Sequence, residues 1–137
     1  MLEDTSILKP FLAQMGLTFI LLFWMAKERY QAFKKGEILI LDPAARPIFK
    51  GRAGIISNAF HNQLEMPIFF YAIVLATLFI KAVDGSMVLL AWSYVVFRGL
   101  QALIHVTYNK VLHRFLAFAL SNIILIALWI KLALRVF

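Results

Sequence analysis

Polar side chains recur at helical spacing in two stretches of this chain that are otherwise hydrocarbon. Asn58, His61, Asn62 and Glu65 stand at i, i+3, i+4 and i+7, which at about 100° per residue puts them on one helix face. Tyr94, Arg98, Gln101, His105 and Asn109 follow at steps of four, three, four and four, again a single stripe. Arg114 and the pair Ser121-Asn122 come soon after, while the first apolar run offers only Gln14 and Thr18, both weak signals. With Arg98 the deepest cation and Glu65 the lone carboxylate, this set suits a small anion that also carries an ammonium group. Arginine holds a carboxylate through paired N–H donors, and Glu65 takes the ammonium. If the ligand also bears a thiol, a neighbouring arginine stabilises the thiolate and lowers its pKa from about 8.5.

Other chemistries find no footing. The chain has no Cys, which excludes disulfide scaffolds, Cys-ligated zinc, iron–sulfur clusters and cysteine nucleophiles. His61, His105 and His113 lack a recognised zinc spacing, so no metal site is expected. There is no Ser-His-Asp arrangement and no glycine-rich phosphate loop, and one acid cannot form a carboxylate pair. The same residues allow a second use: Glu65 and Arg98 as an ion pair that orders the fold. About nine polar side chains converge where one pair would suffice, and that favours a bound ligand.

The elements that must position these residues are membrane spans. Hydrophobic residues make up 63% of the 137 and charged residues 15%, against roughly 45–50% and about 25% in soluble domains. A soluble domain this small has nowhere to hide so much apolar surface. Four runs meet the requirement of about 20 apolar residues for a bilayer crossing, near residues 7–26, 58–80, 87–108 and 115–134. They are continuous rather than alternating, so helices are expected, not a barrel. The expected fold is all-α, an integral-membrane four-helix bundle forming one domain over residues 1–137. Glu3 and Asp4 stand where a signal peptide would be basic, so the first span is expected to be retained.

The formal charge of +7 belongs to span ends, where it meets head groups, and not to nucleic acid. Lys27, Arg29, Lys34, Lys35, Arg46, Lys50 and Arg52 in the first loop, with Lys110 and Arg114 in the third, make seven plus two, or nine, on one side. Lys9, Lys81, Lys131 and Arg135 make four on the other. The bias puts both basic loops in the cytoplasm and both termini outside. The segment from Lys27 to Glu37 is helix-compatible and extends the first span, after which Asp42-Pro43 and Arg46-Pro47 force turns. Pro67 is expected to kink the second span near Gln63 and Leu64, with Ala72 and Ala76 carrying the polar stripe onward as small residues. A tight turn at Asp84-Gly85-Ser86 makes the second and third spans antiparallel neighbours.

The segment NAFHNQLEMPIFFYAIVLA (Asn58 to Ala76), with Asn62, Glu65 and Pro67, resembles the MAPEG family, the membrane-associated proteins of eicosanoid and glutathione metabolism. RGLQALIHVTYNKVLHRF (Arg98 to Phe115) resembles that family's junction of third and fourth helices. The likeness covers nearly the whole chain. It implies a homotrimer of four-helix bundles binding glutathione between protomers near the cytoplasmic face, and a lipophilic small-molecule substrate: family members conjugate electrophiles, reduce lipid hydroperoxides or isomerise prostaglandin precursors, and a minority bind lipids without catalysis. By motif position, Asn62 and Glu65 hold the glutathione backbone, Arg98 one carboxylate, and Arg114 the catalytic thiolate. Arg29 matches a basic residue reaching the same site, with Asn58, His61, Gln101 and His105 completing the binding set. The departures are Asn58, where many glutathione-using members have arginine, His105, where they place tyrosine, and the closeness of Glu65 to Pro67. The variant is most similar to prokaryotic members, which implies a bacterial inner membrane.

Overall fold

The computed structural model describes residues 4–39, 44 and 48–137. A short 3-10 turn, Asp4–Ile7, leads into α1 (Leu8–Lys35). A two-residue ribbon follows, β1 (Ile38–Leu39) paired antiparallel with β2 (Ile48–Phe49) in the register Ile38↔Phe49 and Leu39↔Ile48. Then come α2 (Gly51–Asn62), α3 (Pro67–Phe79), α4 (Gly85–Val106) and α5 (Val111–Val136). The turns expected at Asp42-Pro43 and Arg46-Pro47 lie outside the described residues, as does Glu3.

Four stretches are long and apolar enough to cross a membrane: Thr5–Lys35, Gly51–Phe79, Gly85–Val106 and Val111–Val136. The first is 31 residues, about 46 Å at 1.5 Å per residue, so it outruns a hydrocarbon core of about 30 Å. As the helix-compatible run from Lys27 suggested, α1 continues to Lys35. Gly36 ends it at φ 69°, a left-handed angle glycine adopts at no steric cost. Large apolar side chains such as Phe23, Phe79, Ile123 and Trp129 stand exposed along all four spans. On a water-soluble protein that surface would aggregate, whereas in a bilayer it meets its own solvent.

The interior is layered. Toward the termini, Ile7, Phe70, Val74, Met87, Tyr94, Leu125 and Leu128 form one apolar cluster. Toward the long loop, Leu21, Met25, Ile56, Ala59, Ala102 and Val106 form another. Buried Ala91 on α4 and Ala117 and Ser121 on α5 suit the close approach of those two backbones, as small residues do between membrane helices. The tight turn joins α3 to α4 as expected, yet α3 lies nearer α5 in backbone. The stacked rings of Phe70 and Tyr94, 4.6 Å between centroids, hold α3 and α4 apart.

At the terminal end, Asp84 caps α4 by accepting from the Met87 N–H at 2.8 Å and from Ser86 Oγ at 2.6 Å. It also pairs with Lys131 Nζ at 3.2 Å and Arg135 Nη2 at 2.7 Å. The Ser86 hydroxyl, the Met87 amide and Lys131 hold its carboxyl well below the usual carboxylate range. At the loop end, Gly54 lies so close to β2 that an added Cβ would meet Phe49 O at 2.5 Å.

Candidate functional site

The second span does more than kink at Pro67. Helix α2 ends at Asn62 and α3 begins at Pro67, leaving Gln63 to Met66 outside both. Proline has no N–H to return to Gln63, and the stretch closes instead through tighter bonds, Gln63 N to Phe60 O and Leu64 N to His61 O, both 3.0 Å. The carbonyl of Asn62 is thereby freed, and Arg98 Nη2 donates to it. A cation at a helix C-terminus meets the negative end of the backbone dipoles. Break and arginine are one arrangement.

Around that contact lies a polar layer between the two apolar clusters. Arg98 is 0% exposed. Its Nε donates to Gln63 Oε1 at 3.4 Å, and the same oxygen accepts from Gln14 Nε2 at 2.9 Å. Among the described residues no carboxylate lies within ion-pair distance of Arg98. Its Nη1 has no partner, nor do Tyr94 OH, Gln14 Oε1 and Gln101 Oε1. Two buried donors and two buried acceptors therefore stand unpaired, a set that matches a head group bearing both carboxylate and ammonium.

The expected polar stripe of the second span is divided by the break. Asn58 and Glu65 are exposed on the protomer, His61 and Asn62 half-buried, while Arg98, Gln101 and His105 are buried. Glu65 is thus exposed, like Asn58 at the other end of the stripe, and makes no ion pair with Arg98, although its charge still reaches that guanidinium. Asn62 Nδ2 approaches His105 Nδ1 at 3.4 Å. At the loop end, Arg29 Nε donates to Ser57 Oγ at 3.0 Å and its guanidinium lies over Phe49 at 4.7 Å, tying α1 to α2 and β2. Arg114, half-buried in the first turn of α5, donates from Nη1 to Asn109 Oδ1 at 2.7 Å. No group of three potential metal ligands occurs among the described residues.

Sequence reasoning passed over two members of the layer. Gln63 figured only as the site of a kink, and Gln14 as a weak feature of the first span. The available signal was their amide chemistry: a glutamine within an apolar run must find a partner, and these find each other. A separate apolar groove of about 470 Å³ opens between α3 and α5, lined by Met66, Phe69, Ala72, Ala76, Leu125 and Trp129 among others. The small residues Ala72 and Ala76 thus shape a groove instead of a close helix contact within the protomer.

No curated protein and no solved structure gives a significant match to the chain. The sequence model of the MAPEG family matches residues 7–134, nearly the whole chain. Taken with four membrane-length helices around a buried polar layer, that match makes this integral-membrane bundle a member of the MAPEG family.

Proposed function

We propose that the protein is a membrane-embedded, glutathione-dependent transferase or peroxidase acting on lipophilic electrophiles or lipid hydroperoxides. The observation that carries this reading is Arg98, a wholly buried guanidinium bonded only to neutral oxygens, with Nη1 unpartnered. A buried charge with no carboxylate in direct contact costs several kcal/mol, and an anionic ligand reduces that cost beyond what the more distant Glu65 supplies. Arg98 receives one carboxylate of glutathione, and Asn62 and Glu65 hold its backbone. Asn58, His61, Gln101, His105 and Arg29 complete the binding surface. Bound glutathione supplies a thiol, which as thiolate attacks an electrophilic carbon and displaces its leaving group, or attacks a peroxide oxygen so that the O–O bond breaks. In the second case the alkoxide leaves and takes a proton from water, and the resulting glutathione sulfenic acid is reduced to disulfide and water by a second glutathione. Arg114 lowers the energy of that thiolate while the thiol's proton leaves to water.

Asn58 and Glu65 face away from their own protomer's core, so the site is completed by a neighbouring copy in a homotrimer. We place the chain in a bacterial inner membrane with both termini on the non-cytoplasmic side, following the basic loops. The lipophilic partner enters laterally from the bilayer. Calorimetric binding of glutathione to detergent-purified protein tests the reading. Arg98→Ala and Glu65→Gln are each expected to weaken binding at least about tenfold, the loss of one charged hydrogen bond. Equal affinity in both variants removes the site.

The groove between α3 and α5 favours a second reading, a non-catalytic lipid or small-molecule binder on the same scaffold, because its lining is almost wholly hydrocarbon. Thiolate ultraviolet absorbance on adding glutathione separates the two, since only the enzyme requires it.

A further inference from the structure

Arginine has a long, rotatable side chain, and one that must stabilise a sulfur atom needs an anchor that does not cancel its charge. Among the described residues, the side chain of Arg114 makes a single hydrogen bond, from Nη1 to Asn109 Oδ1 at 2.7 Å. A guanidinium carries five N–H donors, so four remain for an anion. Asn109 is itself held firmly. It sits in the turn between α4 and α5 at φ 48°, a left-handed angle that asparagine tolerates better than most residues. Its N–H donates to Ile104 O at 2.8 Å, closing the C-terminus of α4. The backbone of Asn109 thus finishes one helix while its amide oxygen aims the arginine in the first turn of the next.

We infer that Asn109 is a positioning residue for Arg114, fixing the guanidinium while leaving its full positive charge for the thiolate. The inference rests on the proposed role of Arg114. An aspartate at this position would hold the arginine equally well but neutralise it, which is why a neutral acceptor fits the task. The other titratable groups nearby are His105, within electrostatic reach of Arg114 from the end of α4, and Lys110 and His113, which flank it in the chain. His113 Nδ1 is engaged by Tyr108 OH at 3.0 Å.

The test titrates the thiolate absorbance of added glutathione against pH for the parent protein, Asn109→Gly, Asn109→Asp and Arg114→Ala. Glycine keeps the left-handed turn and removes the acceptor, and aspartate keeps the acceptor and adds a charge. Asn109→Gly is expected to lower the thiolate fraction at neutral pH about tenfold, the loss of one charge-assisted bond, with kcat falling and KM nearly unchanged. Asn109→Asp is expected to lower it at least as far. A parent-like thiolate fraction in Asn109→Gly, with Arg114→Ala still deficient, overturns the inference and leaves Asn109 as a helix terminator. A parent-like fraction in Arg114→Ala overturns the role of Arg114 and this inference with it. Circular dichroism of each variant confirms retained helix.

Discussion

One oxygen, Gln63 Oε1, accepts from both Arg98 and Gln14, so the polar layer depends on it more than on either donor. Replacing Gln63 with Leu deprives a buried guanidinium of an acceptor, and the expected cost is about 1.5–3 kcal/mol, the range for hydrogen bonds to charged groups. Gln14→Leu removes a neutral donor and should cost less, about 0.5–1.5 kcal/mol. Thermal unfolding of both variants in detergent checks the order, and a larger loss at Gln14 would show that Gln63 is not the hub. At this scale the sequence disclosed which residues are polar within apolar runs but not which way each one turns. Arg98 goes inside while Asn58 and Glu65 stay exposed, a difference that side-chain periodicity within one span does not give.

The helices themselves were largely legible, because a bilayer demands about 20 apolar residues per crossing and few sequences meet that demand by accident. Their ends were less so. Helix α5 starts at Val111, ahead of its strongly apolar run, since a helix continues wherever its backbone finds partners. Pro67 announced a disturbance in the second span, but its extent depended on Arg98 reaching across to the Asn62 carbonyl, a contact made only in the folded bundle. The cap at Asp84 belongs to this scale too. Its carboxyl is held below the usual range by hydrogen bonds from Ser86, Met87 N–H and Lys131, so it favours folding at any pH above the unfolded aspartate value of about 3.9. That contribution is lost as pH falls from there through the folded pKa. Unfolding midpoints should therefore drop between about pH 5 and pH 2, and Asp84→Asn should flatten part of that slope.

For the whole molecule, the absence of Cys makes the proposed orientation, with the basic loops in the cytoplasm, simple to test. Lys9 and Lys34, near opposite ends of α1, are both exposed. In intact cells a membrane-impermeant thiol reagent should label Lys9→Cys and leave Lys34→Cys untouched until the membrane is opened; the reverse pattern would invert the topology. The interrupted second span has a consequence of its own. The N–H groups of Glu65 and Met66 lie outside the two helices with no backbone acceptor among the described residues, and acyl chains offer none. A solitary copy that turned this stretch toward acyl chains would thus carry an open seam. Stability should then fall as the protein is diluted with lipid in vesicles, and amide exchange at Glu65 and Met66 should quicken first.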